Sequence, residues 1–324
     1  MVLFHLHVMY GFKTGVGIKS CKFALYKYIN IMLLDRQLNQ TKVFAVVITL
    51  MLIMPFYAIA QKQVSLDVMS WNIRLDVKDD GKNQWDFRKD DFAAKITDIS
   101  PDIIGLQEVM HHQLHYLKKN LKGYKSLGVA RDDGKKAGEY SPLLYKKKKL
   151  RVVRSGTFWL SETPEIPGSR GWDAACNRVV TWAEFKHKKT GEHFLAFNTH
   201  FDHMGDTARV ESAQLLIRKI AQLAGKLPVV LTGDFNVTEK HRAYRIISYP
   251  ENEVVMVDSR VRALEKTGPE VSYISFDPEF DNPTLIDFIF VSYDTEVLTN
   301  SIIDFRSSGK YLSDHLPVLA RIRF

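Results

Sequence analysis

The residues best equipped for chemistry stand at the ends of apolar runs. Val229-Val230-Leu231-Thr232 stops at Gly233 and hands over to Asp234 and, two residues on, Asn236. The pattern recurs in runs that end at Asn72, at Gln107-Glu108 and at Thr199-His200. Asp314-His315 stands just before the run 318–324, and Asp287 at the start of another. Short apolar runs bounded by turn residues read as buried strands, so their polar ends lie where a sheet meets solvent. Singly, each residue has an ordinary structural reading. Glu108 suits a helix start, Asn72 a turn, Asp234 with Asn236 an Asx-turn, His200 a satisfied core position and Asp314 a turn. Together they form a set of carboxylates, carboxamides and two histidines.

Oxygen donors without a cysteine cluster suit a hard cation such as Mg²⁺ or Mn²⁺ rather than a structural zinc. Transfer of a phosphoryl group needs positioning and neutralisation of charge on the equatorial oxygens, which a cation and imidazolium groups supply.

The motifs "SWNI" with Asn72, "GLQEV" with Glu108, "NTHFDH" with His200, "GDFN" at 233–236, "IDFIF" with Asp287 and "SDH" at 313–315 resemble the endonuclease/exonuclease/phosphatase superfamily. That superfamily includes pancreatic-type deoxyribonucleases, abasic-site endonucleases, deadenylases, inositol polyphosphate 5-phosphatases and neutral sphingomyelinases. The resemblance runs through residues 64–324. "GDFN" and "SDH" are its specific elements, whereas "LQE" and "NTH" gain weight from their order. "GEYSP" (138–142) and "SGTFWLSETP" (155–164) resemble a secreted bacterial branch.

The resemblance implies a four-layer α-β-β-α sandwich of two packed mixed sheets with helices outside. It also implies that Glu108 binds the divalent metal, with Asn72 and Asp314 close to it. Asp234 would orient or deprotonate the attacking water, and Asn236 would hold a phosphate oxygen. His200 and His315 would stabilise the charged transition state, with Asp287 fixing the His315 imidazole. A buried carboxylate sets a histidine's tautomer and raises its basicity. Arg178, in "CNRVVTW", is a candidate phosphate clamp, since a planar guanidinium matches phosphate oxygens. Asp202 and His203 alternate at a strand end, so one of them faces the site, and Arg209 stands behind it. The reaction expected is in-line attack of water on a phosphodiester or phosphomonoester.

These side chains must be held by strands at 66–72, 103–106, 124–130, 142–145, 151–160, 179–186, 193–198, 228–232, 285–291, 297–305 and 318–324. The spacing of Phe92, Ile96 and Ile99 predicts a helix over 85–99, closed by Ser100-Pro101. Further helices are expected over 110–120, over an apolar face from Val210 to Leu223 capped by Asp206, and near 239–247. Residues 249–284 carry few periodic signals. One catalytic domain over 61–324 is expected.

The first 60 residues read differently. An apolar run over 43–60 follows Arg36 and Lys42 and ends Ala58-Ile59-Ala60. A basic region, an apolar core and a small-x-small end describe a signal peptide cleaved near Ala60, hence an exported protein. The run is near the lower length of a membrane span, so an uncleaved anchor is the competing reading. Met32 would be a conventional start. The chain of 324 residues has a formal net charge of +8, but residues after 60 hold 39 basic and 36 acidic side chains. That near balance lacks the footprint of a dedicated DNA binder. Lys146–Lys149 with Arg151 and Arg154 read as a solvated strand connection. Of two cysteines, Cys21 precedes the domain, so it has no internal disulfide, and Cys176 reads as a small packed side chain. A core of this size needs no disulfide.

Three patterns are decoys. Gly128 and Gly134-Lys135 miss the spacing of a phosphate-binding loop, and no Gly-x-Ser-x-Gly elbow occurs. The sequon at Asn236 would put a glycan on the proposed site. His111, His112 and His115 fall on an exposed helix face. Trp159, Trp172 and Tyr140 are candidates for either pocket or core. The expectation is an exported Mg²⁺- or Mn²⁺-dependent phosphoesterase, nuclease-like or a small-substrate phosphatase. Its substrate would be nucleic acid, a phosphorylated small molecule or a lipid headgroup, the last as in a sphingomyelinase. A non-catalytic binding module on the same fold is the reading of another class. No obligate protein partner is evident, and a monomer is expected.

Overall fold

The computed structural model describes residues 63–277, 279–306 and 309–324; the expected signal peptide and its cleavage near Ala60 lie outside them. Strand β1 (Ser65–Asn72) is followed by two short 3-10 turns, Lys78–Asn83 and Trp85–Phe87, and then by α1 (Lys89–Ile99). Next come β2 (Ile103–Gln107), α2 (His111–Asn120), β3 (Tyr124–Leu127), β4 (Leu143–Lys146), β5 (Leu150–Trp159), β6 (Val179–His187) and β7 (His193–His200). The long helix α3 (Asp206–Ala224) leads into β8 (Val229–Asp234) and α4 (Arg242–Ile247). Short β9 (Met256–Asp258), α5 (Ser259–Arg262) and β10 (Glu265–Thr267) precede β11 (Asp287–Ser292), β12 (Glu296–Ile302) and β13 (Val318–Arg323).

The strands make two mixed sheets, ordered β10-β12-β13-β1-β2-β4-β3 and β5-β6-β7-β8-β11-β9. Alternation along each strand divides the apolar side chains between layers. In β1, Leu66 and Val68 join Ile103, Ala196, Val230 and Ile289 between the sheets. Met69 and Trp71, on the other face, pack with Phe92 and Ile96 of α1 and Leu114 and Leu117 of α2. The second sheet does the same, with Leu195, Phe197 and Leu231 against Ala213, Leu216 and Ile220 of α3. The result is the expected four-layer sandwich.

Register gathers the polar strand ends. β1 and β2 run parallel with Asn72 beside Gln107, and β7 and β8 run parallel with His200 beside Asp234. β11 runs antiparallel to β8, which sets Asp287, at its start, against Asp234 at the end of β8. Below this rim a polar network bridges the sheets. Asn198 Oδ1 accepts from Gln107 Nε2 at 2.7 Å and Thr232 Oγ1 at 2.9 Å, and its amide donates to the carbonyl of Leu106 at 2.7 Å. Gly105 leaves the room, because a Cβ there would lie 2.0 Å from Thr232 Oγ1.

Two expectations about helices are corrected. The helix expected over 85–99 breaks at Arg88, whose φ of −121° is not helical. Its guanidinium is drawn away to four backbone carbonyls, so 85–87 turns separately. Asp206 does not cap α3. It lies in the first turn, paired with Arg209 and His241, while Asp173 accepts from the amides of Thr207 and Ala208 at 3.2 and 2.6 Å. A cap supplied from a loop more than thirty residues away has no local signature. Within residues 249–284, Arg260 ties down 267–270, reaching Glu270, the Thr267 and Pro269 carbonyls and, beyond the segment, Asn300. Such tertiary support leaves no periodicity to read.

Candidate active site

Asp234 is the hub. The amide nitrogen of Asn72 donates to Asp234 Oδ2 at 2.9 Å and to Glu108 Oε1 at 2.9 Å, tying the ends of both sheets together. The Asn72 oxygen is turned away and accepts from the Arg74 amide at 3.0 Å. Asn72 thereby spaces the two carboxylates. Leu75 N binds Glu108 Oε2 at 3.0 Å, fixing the second oxygen. Glu108 itself sits at φ +60°, where β2 turns out of the sheet.

Asp287 Oδ2 lies 2.7 Å from His315 Nδ1, and His315 Nε2 lies 3.8 Å from Asp234 Oδ2. The three make a line, all buried. Burial alone would discharge His315, but Asp287 and Asp234 outweigh it and hold the imidazole protonated well above its usual range. Burial, and then the charge of Asp287, pushes Asp234 up to about 7.

His200 is the opposite case. Burial first, then Arg178 and Arg131, hold it well below the usual range, so it is neutral. Asn236 Nδ2 lies 3.0 Å from His200 Nε2 and 3.0 Å from the Phe201 carbonyl. Asn236 is thereby tied to both the His200 ring and the backbone beside it. An amide donor on Nε2 leaves the proton on Nδ1, which is buried without a hydrogen-bond partner and lies 4.0 Å from Glu139 Oε2.

These groups wall a cavity of about 450 Å³ that also shows Arg74, Arg131, Glu139, Arg178, His203 and Tyr273. Arg178 is almost wholly buried; its Nε points to Asp202 Oδ2 at 3.4 Å and its Nη2 donates to His203 Nδ1 at 3.0 Å. Its Nη1 has no partner among the described residues, an open donor for an oxygen ligand. Asp202 lies beneath and His203 faces the cavity, as alternation requires. Arg209 stands behind, donating to the Asp202 carbonyl at 3.3 Å.

Sequence reasoning missed Arg74, Arg131 and Glu139. Glu139 lies in the "GEYSP" motif and reaches the site because Tyr140 bridges to Val109, next to Glu108. Arg131 pairs with it at 2.7 Å. Arg74 is gripped by Asp80 at 2.9 Å and lies 3.8 Å from Asp314 Oδ2; its signal was adjacency to Asn72. Cys176, expected in packing, lines the cavity, and Trp159, Trp172 and Tyr140 do not. Trp159 and Tyr140 are buried and donate to the carbonyls of Arg131 and Lys135. His111, His112 and His115 are exposed, as expected.

Among the described residues three groups of side chains are spaced to share a cation: Glu108-His200-Asp234, Asp234-Asp287-His315 and Cys176-Asp202-His203. The last is excluded by saturation, because Asp202 already accepts from the amides of Ala175, Cys176, Met204 and Gly205 and faces Arg178. The second is committed to its internal hydrogen bond. The first fits. Burial and the nearby charge of Glu108 push Asp314 up against the opposing pull of His315, so Glu108 and Asp314 crowd negative charge into one wall. Such an oxygen-rich wall suits a hard divalent cation.

A sequence profile described as the endonuclease/exonuclease/phosphatase family matches residues 69–315. A solved endonuclease/exonuclease/phosphatase from Bacteroides vulgatus is 45% identical, with 80% of this chain and 98% of that one covered and a TM-score of 0.77. A mannosyl-6-phosphatase from Bacteroides thetaiotaomicron is 38% identical over 80% of this chain and 100% of its own, with a TM-score of 0.75. Drosophila melanogaster Nocturnin is 26% identical over 172 residues, half of this chain and 26% of that relative's length.

Proposed function

The chain belongs to the endonuclease/exonuclease/phosphatase family and is a hydrolase of phosphate esters, and from that premise we propose that it is a divalent-metal-dependent phosphomonoesterase acting on a phosphorylated sugar or similar small polar molecule. The observation that carries this reading is the cavity of about 450 Å³ lined by Arg178, whose Nη1 has no hydrogen-bond partner among the described residues. That volume suits a small ligand, and a duplex would need an open basic groove. The similarity to a mannosyl-6-phosphatase supports the same choice.

In this mechanism Glu108 and Asp314 hold the cation, and Asn72 keeps Glu108 at its distance from Asp234. When bound, a Mg²⁺ or Mn²⁺ ion neutralises charge on the phosphate oxygens and orients the ester. Asp234, with a proton affinity raised toward neutrality, orients and deprotonates the attacking water. The charged His315, locked by Asp287, stands beside it to stabilise the negative charge of the transition state. Neutral His200 donates through Nδ1, and Arg178 grips the phosphate. Export through the apolar run at 43–60 completes the proposal: the enzyme works outside the cytoplasm on solutes or released glycan fragments.

The test is a substrate panel with purified protein in Mg²⁺, Mn²⁺ or EDTA. It holds sugar 6-phosphates, p-nitrophenyl phosphate, bis-p-nitrophenyl phosphate, plasmid DNA, RNA and sphingomyelin. Metal-dependent release of phosphate from the monoesters is expected, with little cleavage of polymers or lipid. Preferential cleavage of DNA, RNA or sphingomyelin would overturn the substrate class.

A further inference from the structure

We propose that Arg88 is a positioning residue that locks the two loops carrying Asn72 and Asp314 into one rigid junction; the inference rests on the hydrolase reading above and adds a residue to it. Arg88 is buried at 3% exposure. Its Nε donates to the Asn83 carbonyl at 2.6 Å, Nη1 to the carbonyls of Ile73 at 2.7 Å and Leu312 at 2.6 Å, and Nη2 to that of Arg74 at 3.1 Å. Ile73 and Arg74 directly follow Asn72, and Leu312 precedes Ser313-Asp314-His315. One guanidinium thus clamps backbone on both sides of the site, between segments more than two hundred residues apart.

A buried cation normally takes a carboxylate partner. Here every hydrogen-bond acceptor is a neutral carbonyl, and the rings of Trp85 and Phe276 flank the guanidinium, each 5.4 Å away. Helix economy would have kept 85–99 continuous, yet the chain breaks at Arg88 to send this side chain inward. Two weaker ties cross the same junction: Ser313 Oγ donates to the Asn72 carbonyl at 2.7 Å, and Trp71 Nε1 to the His315 carbonyl at 2.9 Å. Neither offers several donors in one plane. A lysine would keep the charge but not the fork, since its donors radiate from a single atom. The fork therefore sets the separation of Asn72 from Asp314, while Arg178 grips phosphate from the second sheet without its help.

The experiment compares Arg88→Lys, Arg88→Met and Ser313→Ala in the full chain, with Ile96→Val in the neighbouring helix core as a stability control. It reads kcat and KM on p-nitrophenyl phosphate in Mg²⁺, and the melting-temperature shift caused by inorganic phosphate. Arg88→Lys is expected to lower kcat about 10²-fold, the size of effect a misplacement of about 1 Å can produce. Its KM should stay within about twofold and its phosphate-induced shift should remain, because binding is held elsewhere. Ser313→Ala should show the same split on a smaller scale, and Ile96→Val should leave kcat alone. Should Arg88→Met fail to fold, Arg88→Lys and Ser313→Ala carry the test. Arg88→Lys with wild-type kcat overturns the proposal, as does loss of kcat, KM and the phosphate shift together. An inactive wild type would instead be a failure of the hydrolase reading.

Discussion

Glu108, Asp234, Asp287 and Asp314 share the rim of the sandwich with His200 and His315, and their neighbours assign them different charges. Asp287 turns His315 into a fixed cation through a 2.7 Å contact, whereas burial, then Arg178 and Arg131, keeps His200 neutral although Asp234 lies 3.4 Å away. The two histidines are therefore not interchangeable. Replacing His315 by Ala should cost about 10²-fold or more in kcat, because preorganised charge opposite the reacting group is typically worth that much. Asp287→Asn keeps the shape but not the charge that orients the ring, and about 10- to 100-fold is expected, as for other orienting partners. Steady-state kinetics on one monoester checks both. Equal activity in wild type and both variants would remove this pair from the mechanism.

At the scale of elements, the site depends on strand ends held in register and on loops held by single carboxylates. Asp202 accepts four backbone amides and faces Arg178, a set that outweighs the cost of its burial and holds its carboxyl well below the usual range. A carboxylate whose folded pKa is depressed contributes stability above its unfolded value, about 3.9, and loses it as pH falls through the folded value. The wild type should thus lose melting temperature below about pH 4 faster than Asp202→Ala, which should already be weaker by about 3 kcal/mol at neutral pH. Thermal melts across pH read both effects; parallel pH curves would contradict the assignment. Gly105→Ala should cost about 1–3 kcal/mol by overpacking the network under the site, seen as a lower denaturant midpoint. The strands were legible in sequence because apolar runs and their polar stops are local, and so were Asn72, Glu108, His200, Asp234 and His315 at the ends. The cap of α3 by Asp173 and the inward Arg88 were not, because key partners are distant in the chain, and the Arg131–Glu139 pair was not, because it forms across an irregular loop with no period. That Cys176 packs at the cavity wall was not legible either, since its place is settled by the loop that Asp202 organises.

The described residues join two mixed sheets face to face, so that parallel strands from each deliver their ends to one rim. The near balance of charge after residue 60, legible from composition, agrees with a pocket for a small anion better than with a basic polymer groove. Substrate choice is not written in the strands, because part of the cavity wall comes from loops at 131–139 and 176–178 whose meeting has no sequence period. If the exported form is isolated from its native cell, N-terminal sequencing should begin at or just after Gln61; a start upstream of residue 43 would contradict cleavage. Removal of divalent cations by EDTA should abolish turnover, and added Mg²⁺ should restore it. The most direct measurement is the turnover of Asp234→Asn on a sugar 6-phosphate in saturating Mg²⁺, beside wild type of equal melting behaviour. A fall of about 10²-fold or more in kcat with the protein still folded is predicted, since the group that handles the water is removed. Wild-type turnover in Asp234→Asn would contradict the account at its centre.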